Sequence, residues 1–474
     1  MSLIKFKRIV WFRNDLRIHD NPALFRAAED KEGALAVYFI CDEMLTNHVV
    51  APVRVDFIRR HLSILNDDLN QLNIPLVVIR ISKTVDIVPH LQSLVKKHQV
   101  EELFFNAEYP IDEFNRDKHV SEILRAQDLI VKRFHDRVII PPGMIRNGKG
   151  EPYKVFTAFK NNWLQQARAL SLQSLRKPVV QPENNHEVLT GAKLNKLFDG
   201  IEQRDLSKLW PAGEKEASKR LKAFVKNHID DYQTARDFPQ VEGTSQLSPY
   251  LAIGSISPRQ CIAAVLHANQ GEWDCGSLGA TTWISEIIWR EFYQHVVVDF
   301  PDVCKFKAMQ KHTEAFPWRY DKKLFQAWCD GETGIPIVDA AMLQLKETGW
   351  MHNRLRMVVA MFLTKNLQID WRMGEHYFMT QLIDGDFAAN NGGWQWSAST
   401  GTDAAPYFRI FNPVSQSQRF DADGAFIRRY LPMLAKLPAK VIHSPPPTQG
   451  YPLPLVDLSL SRKDTIALFG ALKG

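Results

Sequence analysis

Five short apolar runs in the first third of the chain, at residues 9–12, 34–40, 75–81, 102–106 and 129–133, constrain its fold more than any other feature. Runs of this length with little polar alternation read as strands buried on both faces. Between the second and third runs, over residues 54–72, Ile58, Leu62, Leu65 and Leu69 recur at helical spacing. Strand alternating with helix at this rhythm predicts an α/β unit built on a doubly wound parallel sheet. No G-x-G-x-x-G follows the first run; Arg13-Asn14-Asp15-Leu16-Arg17 stands in its place. The dinucleotide fingerprint is absent, which argues against a nicotinamide dehydrogenase.

At 474 residues the chain exceeds one hydrophobic core. The pattern divides it into an α/β unit over residues 1–135, a long linker over 136–204 and an all-helical unit over 205–474. Turn signals at Pro141-Pro142-Gly143 and Asn147-Gly148-Lys149-Gly150 mark the linker, as does the polar stretch 181–185. Beyond it, Ser257-Pro258 reads as a helix start, an N-cap followed by proline at the first helical position. Further helical patterns cover residues 281–298, 337–348 and 353–366. Hydrophobic content of 45% with 24% charged residues is ordinary for a soluble globular chain. A net charge of +6 is a mild basic excess, which alone says little about nucleic acid. The first twenty residues alternate charged and apolar side chains and lack a leader-peptide core. No apolar run approaches the roughly 20 residues a membrane span needs. Five cysteines lie scattered without metal-ligand spacing, which predicts no zinc site and a cytoplasmic, reducing setting.

Chemistry concentrates in a few segments. Residues 384–413 hold a paired-carboxylate turn (Asp384, Gly385, Asp386), an Asn-Asn-Gly-Gly bend and two tryptophans two apart, Trp394 and Trp396. Gly392 and Gly393 would let the backbone approach a bound group and adopt positive φ. Flat indole rings beside them suit a planar cofactor and a planar substrate. On the predicted 281–298 helix, Glu286, Trp289, Arg290 and Tyr293 fall at i, i+3, i+4 and i+7, on one face. Carboxylate, indole and guanidinium together are costly to bury unless partnered; otherwise they form a solvated polar face. Trp350, Asn353 and Met357 make a second such face, flanked by Arg354 and Arg356. Each of Trp318, Trp371, Trp394 and Trp396 reads first as a core anchor, although a row of such indoles could conduct an electron to a buried acceptor. Tyr232 with Thr244, Ser245, Gln246, Leu247 and Ser248 forms a hydroxyl-rich segment before a helix, able either to cap it or to bind phosphate.

Together these segments resemble the photolyase/cryptochrome family. The likeness runs from WFRNDLRIHDNPAL at 11–24 to FRIFNPVSQSQRF at 408–420, through EGTSQLSPYLAIGSISPRQ, WISEIIWREFY and WMHNRLRMVVAMFL. It implies an N-terminal α/β unit, a linker and a helical unit holding FAD in a U-shaped conformation. Tyr232 and residues 244–248 match the flavin nucleotide contacts. Asp384, Gly385 and Asp386 match the acidic turn around the ribityl and ring region, with Arg356 the charge partner of Asp384. Asn390 matches the residue facing flavin N5. Trp394, Trp371 and Trp318 match, from flavin outward, the photoreduction relay.

The family's substrate side is matched by Trp289 and Trp396, which clasp the lesion, with Glu286, Asn353 and Met357 around it. Six-four photolyases carry histidine where Met357 closes its motif, so the resemblance is to class I enzymes acting on cyclobutane pyrimidine dimers. Arg236, Arg290, Arg354 and Gln416 are expected at backbone phosphates or the pocket rim, binding UV-damaged DNA without reading sequence. The implied mechanism is light-driven electron transfer from FADH⁻ to an everted dimer and back. Glu286 is expected protonated, donating to a pyrimidine carbonyl. A methenyltetrahydrofolate antenna is expected at Asp112 and Glu113, with His48 and Lys305 nearby. The rival is a cryptochrome photoreceptor; signalling members carry a long C-terminal extension, and plant-type ones an Asp at the Asn390 position. A monomer with no obligate protein partner and no membrane attachment is expected.

Overall fold

The computed structural model describes residues 5–170 and 172–472. Strands β1 (Arg8–Phe12), β2 (Ala34–Cys41), β3 (Leu76–Ile81), β4 (Glu102–Asn106) and β5 (Ile130–Phe134) form one parallel sheet in the order β3-β2-β1-β4-β5. Each begins and ends within a residue of its apolar run. Strand β1 lies at the centre, wholly buried, paired with β2 on one side and β4 on the other. The strand order reverses between β1 and β4, so a crevice opens at the carboxyl ends of these parallel strands. The helix Pro52–Asn70 occupies the stretch where helical spacing was read, two residues further toward the N-terminus.

The connector is better ordered than its turn signals predict. It contains helices Phe156–Ala167 and Gly191–Leu197. Phe159 packs on Phe292 with ring centroids 5.0 Å apart, and Trp163 Nε1 donates to Glu291 at 2.6 Å. The same carboxylate accepts from the backbone N–H groups of Ile139 and Ile140. The connector is thus fastened to the helix Leu278–Asp299, more than a hundred residues on.

From Glu214 onward the described structure is helical and has no named strand. Ser257 and Gln260 form a reciprocal capping box with Pro258 at the first helical position. The predicted 353–366 helix is α-helical over Asn353–Met361 and widens into a π turn over Phe362–Asn366. Lys365 leaves that turn to donate to Ala398 O and Ser399 Oγ, closing the end of the Phe387–Ala398 helix.

The sheet and the helical region meet over a buried ionic joint. Arg17, fully buried, donates to Asp136 and to Gly254 O, while Arg259 reaches both Asp136 and Asp20. Gly254 has φ +67°, and a Cβ there would lie 2.1 Å from Asn14 O, so only glycine fits. Among the described residues no helix is long and apolar enough to cross a membrane, and no group of three His, Cys, Asp or Glu residues could hold a metal.

Candidate functional site

A cavity of about 490 Å³ lies among the helices. The Leu278–Asp299 helix turns Glu286, Trp289, Arg290 and Tyr293 toward it, so the face read from i, i+3, i+4, i+7 spacing is a cavity wall. Helix Asn353–Met361 contributes Asn353, Arg356 and Met357. Helix Phe387–Ala398 contributes Asn390, Gly393, Trp394 and Trp396, and Tyr232, Ser245, Leu247 and Ser248 close one end.

The Asn-Asn-Gly-Gly segment is not a bend. Residues 390–393 lie inside the Phe387–Ala398 helix, and neither glycine has positive φ. Their small size is what matters. A Cβ on Gly392 would lie 2.2 Å from the Tyr293 ring, so this glycine allows two cavity helices to touch. A Cβ on Gly393 would meet nothing within 4 Å and would project into the cavity.

The acidic turn is held by arginines. Asp384 accepts from Arg356 at 2.7 Å, and its other oxygen, Oδ1, is buried without a partner. Asp386 pairs with Arg137, accepts from Gln294 at 3.2 Å and caps the next helix through Ala389 N. Burial opposes the charge of Asp386, but Arg137, Arg290 and Arg54 outweigh it and hold the carboxyl below the usual range. Asn390 donates its amide N–H to Glu375 O at 3.0 Å, leaving its Oδ1 without a protein partner among the described residues. Beneath it, burial pushes the Glu375 carboxyl up to about 8, against a hydrogen bond from Asn391.

Opposite this turn, the Trp289 ring lies flat on Phe156, with centroids 3.7 Å apart and 10° between planes. Phe156 comes from the connector and was not a sequence candidate. Glu286 accepts from Arg236 at 2.6 Å and is only partly buried, so it is one half of an ion pair rather than the isolated protonated carboxyl expected. Arg354 pairs with Asp237 at 2.6 Å and covers the Phe420 ring. Arg290 corrects another expectation. Its guanidinium donates to Arg137 O and Leu251 O, so these carbonyls hold it at the cavity wall rather than at the surface where a backbone phosphate was expected.

Four further candidates stand outside the cavity lining. Gln246 takes a left-handed backbone (φ 48°) and accepts from Arg220, which directs it away. Thr244 precedes it without reaching the lining. Gly385 faces the neighbouring interdomain cavity and accepts from Arg54 through its carbonyl. Gln416 lies on the Pro413–Phe420 helix, its Oε1 buried without a partner.

Trp394 lines the cavity, while Trp371 is fully buried and Trp318 partly so. The rings touching Trp394 are Phe378 and Trp328, at 5.0 and 6.0 Å; among the described residues no ring contact joins it to Trp371. The indole nitrogens of Trp371 and Trp318 are buried without partners.

A smaller cavity of about 150 Å³ lies at the carboxyl ends of the strands, between the sheet and the helical region. His48 and Glu113 line it, 3.4 Å apart. Asp112 points to solvent, with its side chain 74% exposed. Lys305 belongs to a separate surface pocket. Asp386 and Arg137 form the partition toward the large cavity.

Residues 8–182 match the family model described as DNA photolyase, and residues 283–471 match that described as the FAD binding domain of DNA photolyase. The deoxyribodipyrimidine photo-lyase of Vibrio cholerae is 44% identical, over 98% of this chain and 100% of its own. That of Escherichia coli is 42% identical over 98% of each. The crystal structure of a class III photolyase from Agrobacterium tumefaciens superposes with a TM-score of 0.88 at 33% identity, covering 100% of this chain and 99% of that one.

Proposed function

The chain belongs to the DNA photolyase family, and from that membership we propose that it uses light to split cyclobutane pyrimidine dimers in DNA. One observation carries the reading: the flavin-side residues Tyr232, Ser245, Asp384 and Asn390 and the substrate-side residues Trp289, Met357 and Trp396 wall a single cavity. A cofactor and an everted pyrimidine dimer held there would be adjacent.

The residues present fit FAD. The unpartnered Asp384 Oδ1 and the free Asn390 Oδ1 are acceptors awaiting N–H or O–H donors, and Gly393 leaves room that a side chain would fill. Arg356 and Arg236 supply positive charge near the nucleotide end, with Ser245 and Ser248 offering hydroxyls. Bound and reduced, FAD supplies the photoexcited electron that opens the dimer and receives it back. The protein's own part is orientation and electrostatics. Asn390, fixed by its bond to Glu375 O, presents a carbonyl oxygen that accepts from a ring N–H and cannot itself take a charge. Trp289, backed by Phe156, offers its other face to a pyrimidine, and Met357 adds a polarisable wall without a proton to give. Glu286, as a carboxylate, accepts from a pyrimidine imide N–H. The dimer must leave the duplex to arrive, as in base flipping, and the weak pairing of a damaged step lowers the cost of extrusion.

In this reading residues 205–474 hold flavin and DNA, Trp394, Trp371 and Trp318 carry electrons inward during photoreduction, and the smaller cavity takes an antenna chromophore beside His48 and Glu113. The proposal is tested by illuminating the purified protein with a dimer-bearing oligonucleotide and following thymine absorbance. Recovery in light with none in the dark is expected; no recovery from fully reduced protein refutes it.

A further inference from the structure

The two arginines at the cavity mouth are already occupied. Arg236 donates to Glu286 and Arg354 to Asp237, each at 2.6 Å, with side chains 20–30% exposed. A phosphate can reach either guanidinium, but it must displace a carboxylate to bind. Glu286 also faces the chamber that holds Trp289, Met357 and Trp396. Its carboxylate therefore has two alternative partners, the arginine outside and a pyrimidine N–H inside.

Resting on the photolyase reading, we propose that the Arg236–Glu286 pair is a lesion-dependent latch, masking Arg236 from undamaged DNA and releasing it to a backbone phosphate once an everted dimer engages Glu286. The exchange replaces one charge-assisted hydrogen bond with another, so it is close to balanced until a second partner for Glu286 arrives. In undamaged duplex no base enters the chamber, Glu286 stays on Arg236, and one phosphate contact is withheld. An unmasked arginine would attract all DNA alike, because phosphate contacts carry no sequence or damage information. Masking it removes affinity for the wrong target, and discrimination is a difference of affinities. Asp237, next to Arg236 in the chain, pairs with Arg354 and repeats the arrangement beside it.

The test uses flavin-loaded protein in the dark, with undamaged duplex and the same duplex carrying one dimer, across a salt series. Glu286→Gln keeps size and hydrogen bonding to a base but releases Arg236. Its affinity for undamaged DNA should rise about twofold to fivefold, the range expected when a partly exposed ion pair no longer competes for the arginine. The slope of log affinity against log salt should steepen by about 0.9, one phosphate's worth. In an Arg236→Gln background the same change should bring no gain. Unchanged undamaged binding overturns the latch, as does a gain that persists without Arg236, which would reflect only a lost negative charge. Glu286→Met, of similar volume, serves if the glutamine variant melts early, and the same gain is expected of it. A wild-type protein with no preference for the dimer would sink the photolyase reading itself; preference without the Glu286 effect sinks the latch alone.

Discussion

Adjacent glycines in one helix should respond to the same methyl group with opposite signs. At Gly392 an added Cβ would stand 2.2 Å from two Tyr293 ring carbons, where contact distances are about 3.5–4.0 Å. Tyr293 cannot swing aside, being hemmed by the Trp289 and Phe292 rings at 5.7 and 5.8 Å. Overpacking of this kind costs about 3 kcal/mol at its upper end, offset by about 1 kcal/mol of alanine's better helix propensity. Gly392→Ala should thus lose about 2 kcal/mol. At Gly393 nothing lies within 4 Å, so only the propensity term acts and Gly393→Ala should gain about 1 kcal/mol. Its methyl, however, projects into the chamber and should lower flavin occupancy. Urea unfolding of flavin-free protein gives the first quantity, and the visible flavin band per protein gives the second. If both variants are destabilised alike, or Gly393→Ala retains full flavin, the placement of this helix against the cavity is wrong.

Three other outcomes follow from named contacts. Phe156→Leu removes the ring stacked on Trp289 and should weaken dimer-DNA binding several-fold while sparing undamaged DNA; Phe156→Tyr should restore it in the same titration. Burial pushes His61 down to about 3, its Nδ1 bonded to Phe57 O and its Nε2 accepting from Gly213 N. Its contribution is full above the unfolded pKa near 6.5 and is lost as pH falls toward 3, so His61→Gln should flatten the stability change between pH 7 and 5 by about 2 kcal/mol in urea titrations. Glu375 has the opposite sign: pushed up to about 8, it favours the fold below its unfolded pKa near 4.5 and loses that contribution as pH rises. Glu375→Gln should therefore stabilise at pH 7 by about 2–3 kcal/mol, a gap that closes near pH 4.5; no difference at pH 7 would show that the carboxyl is solvated.

The sheet was legible because its inner strands β1, β2 and β4 are buried on both faces, which leaves unbroken apolar runs such as residues 34–40, whereas edge strand β5 is largely exposed. The cavity wall on the Trp289 helix was legible because one helical face carried groups with no place in a core. The Gly392–Gly393 segment misled because Asn-Asn-Gly-Gly has turn composition, while its tertiary requirement, room for Tyr293, comes from a residue a hundred positions earlier. The connector helix was missed for the same reason, since Phe156, Phe159 and Trp163 find partners on the distant Leu278–Asp299 helix. Charge pairing is the least readable property. Whether Glu286 is a lone acid or half of an ion pair depends on Arg236, fifty residues away. Trp328, against Trp394, carried no signal beyond being an indole.

The central claim is that one chamber brings flavin and dimer into electron-transfer contact. Its most direct measurement is the fluorescence of the fully reduced, flavin-loaded protein titrated with oligonucleotide under weak excitation. Dimer-bearing DNA should quench the emission in proportion to binding, and undamaged DNA should leave it unchanged. Saturating dimer-DNA with undiminished emission would place the two partners apart and contradict the account.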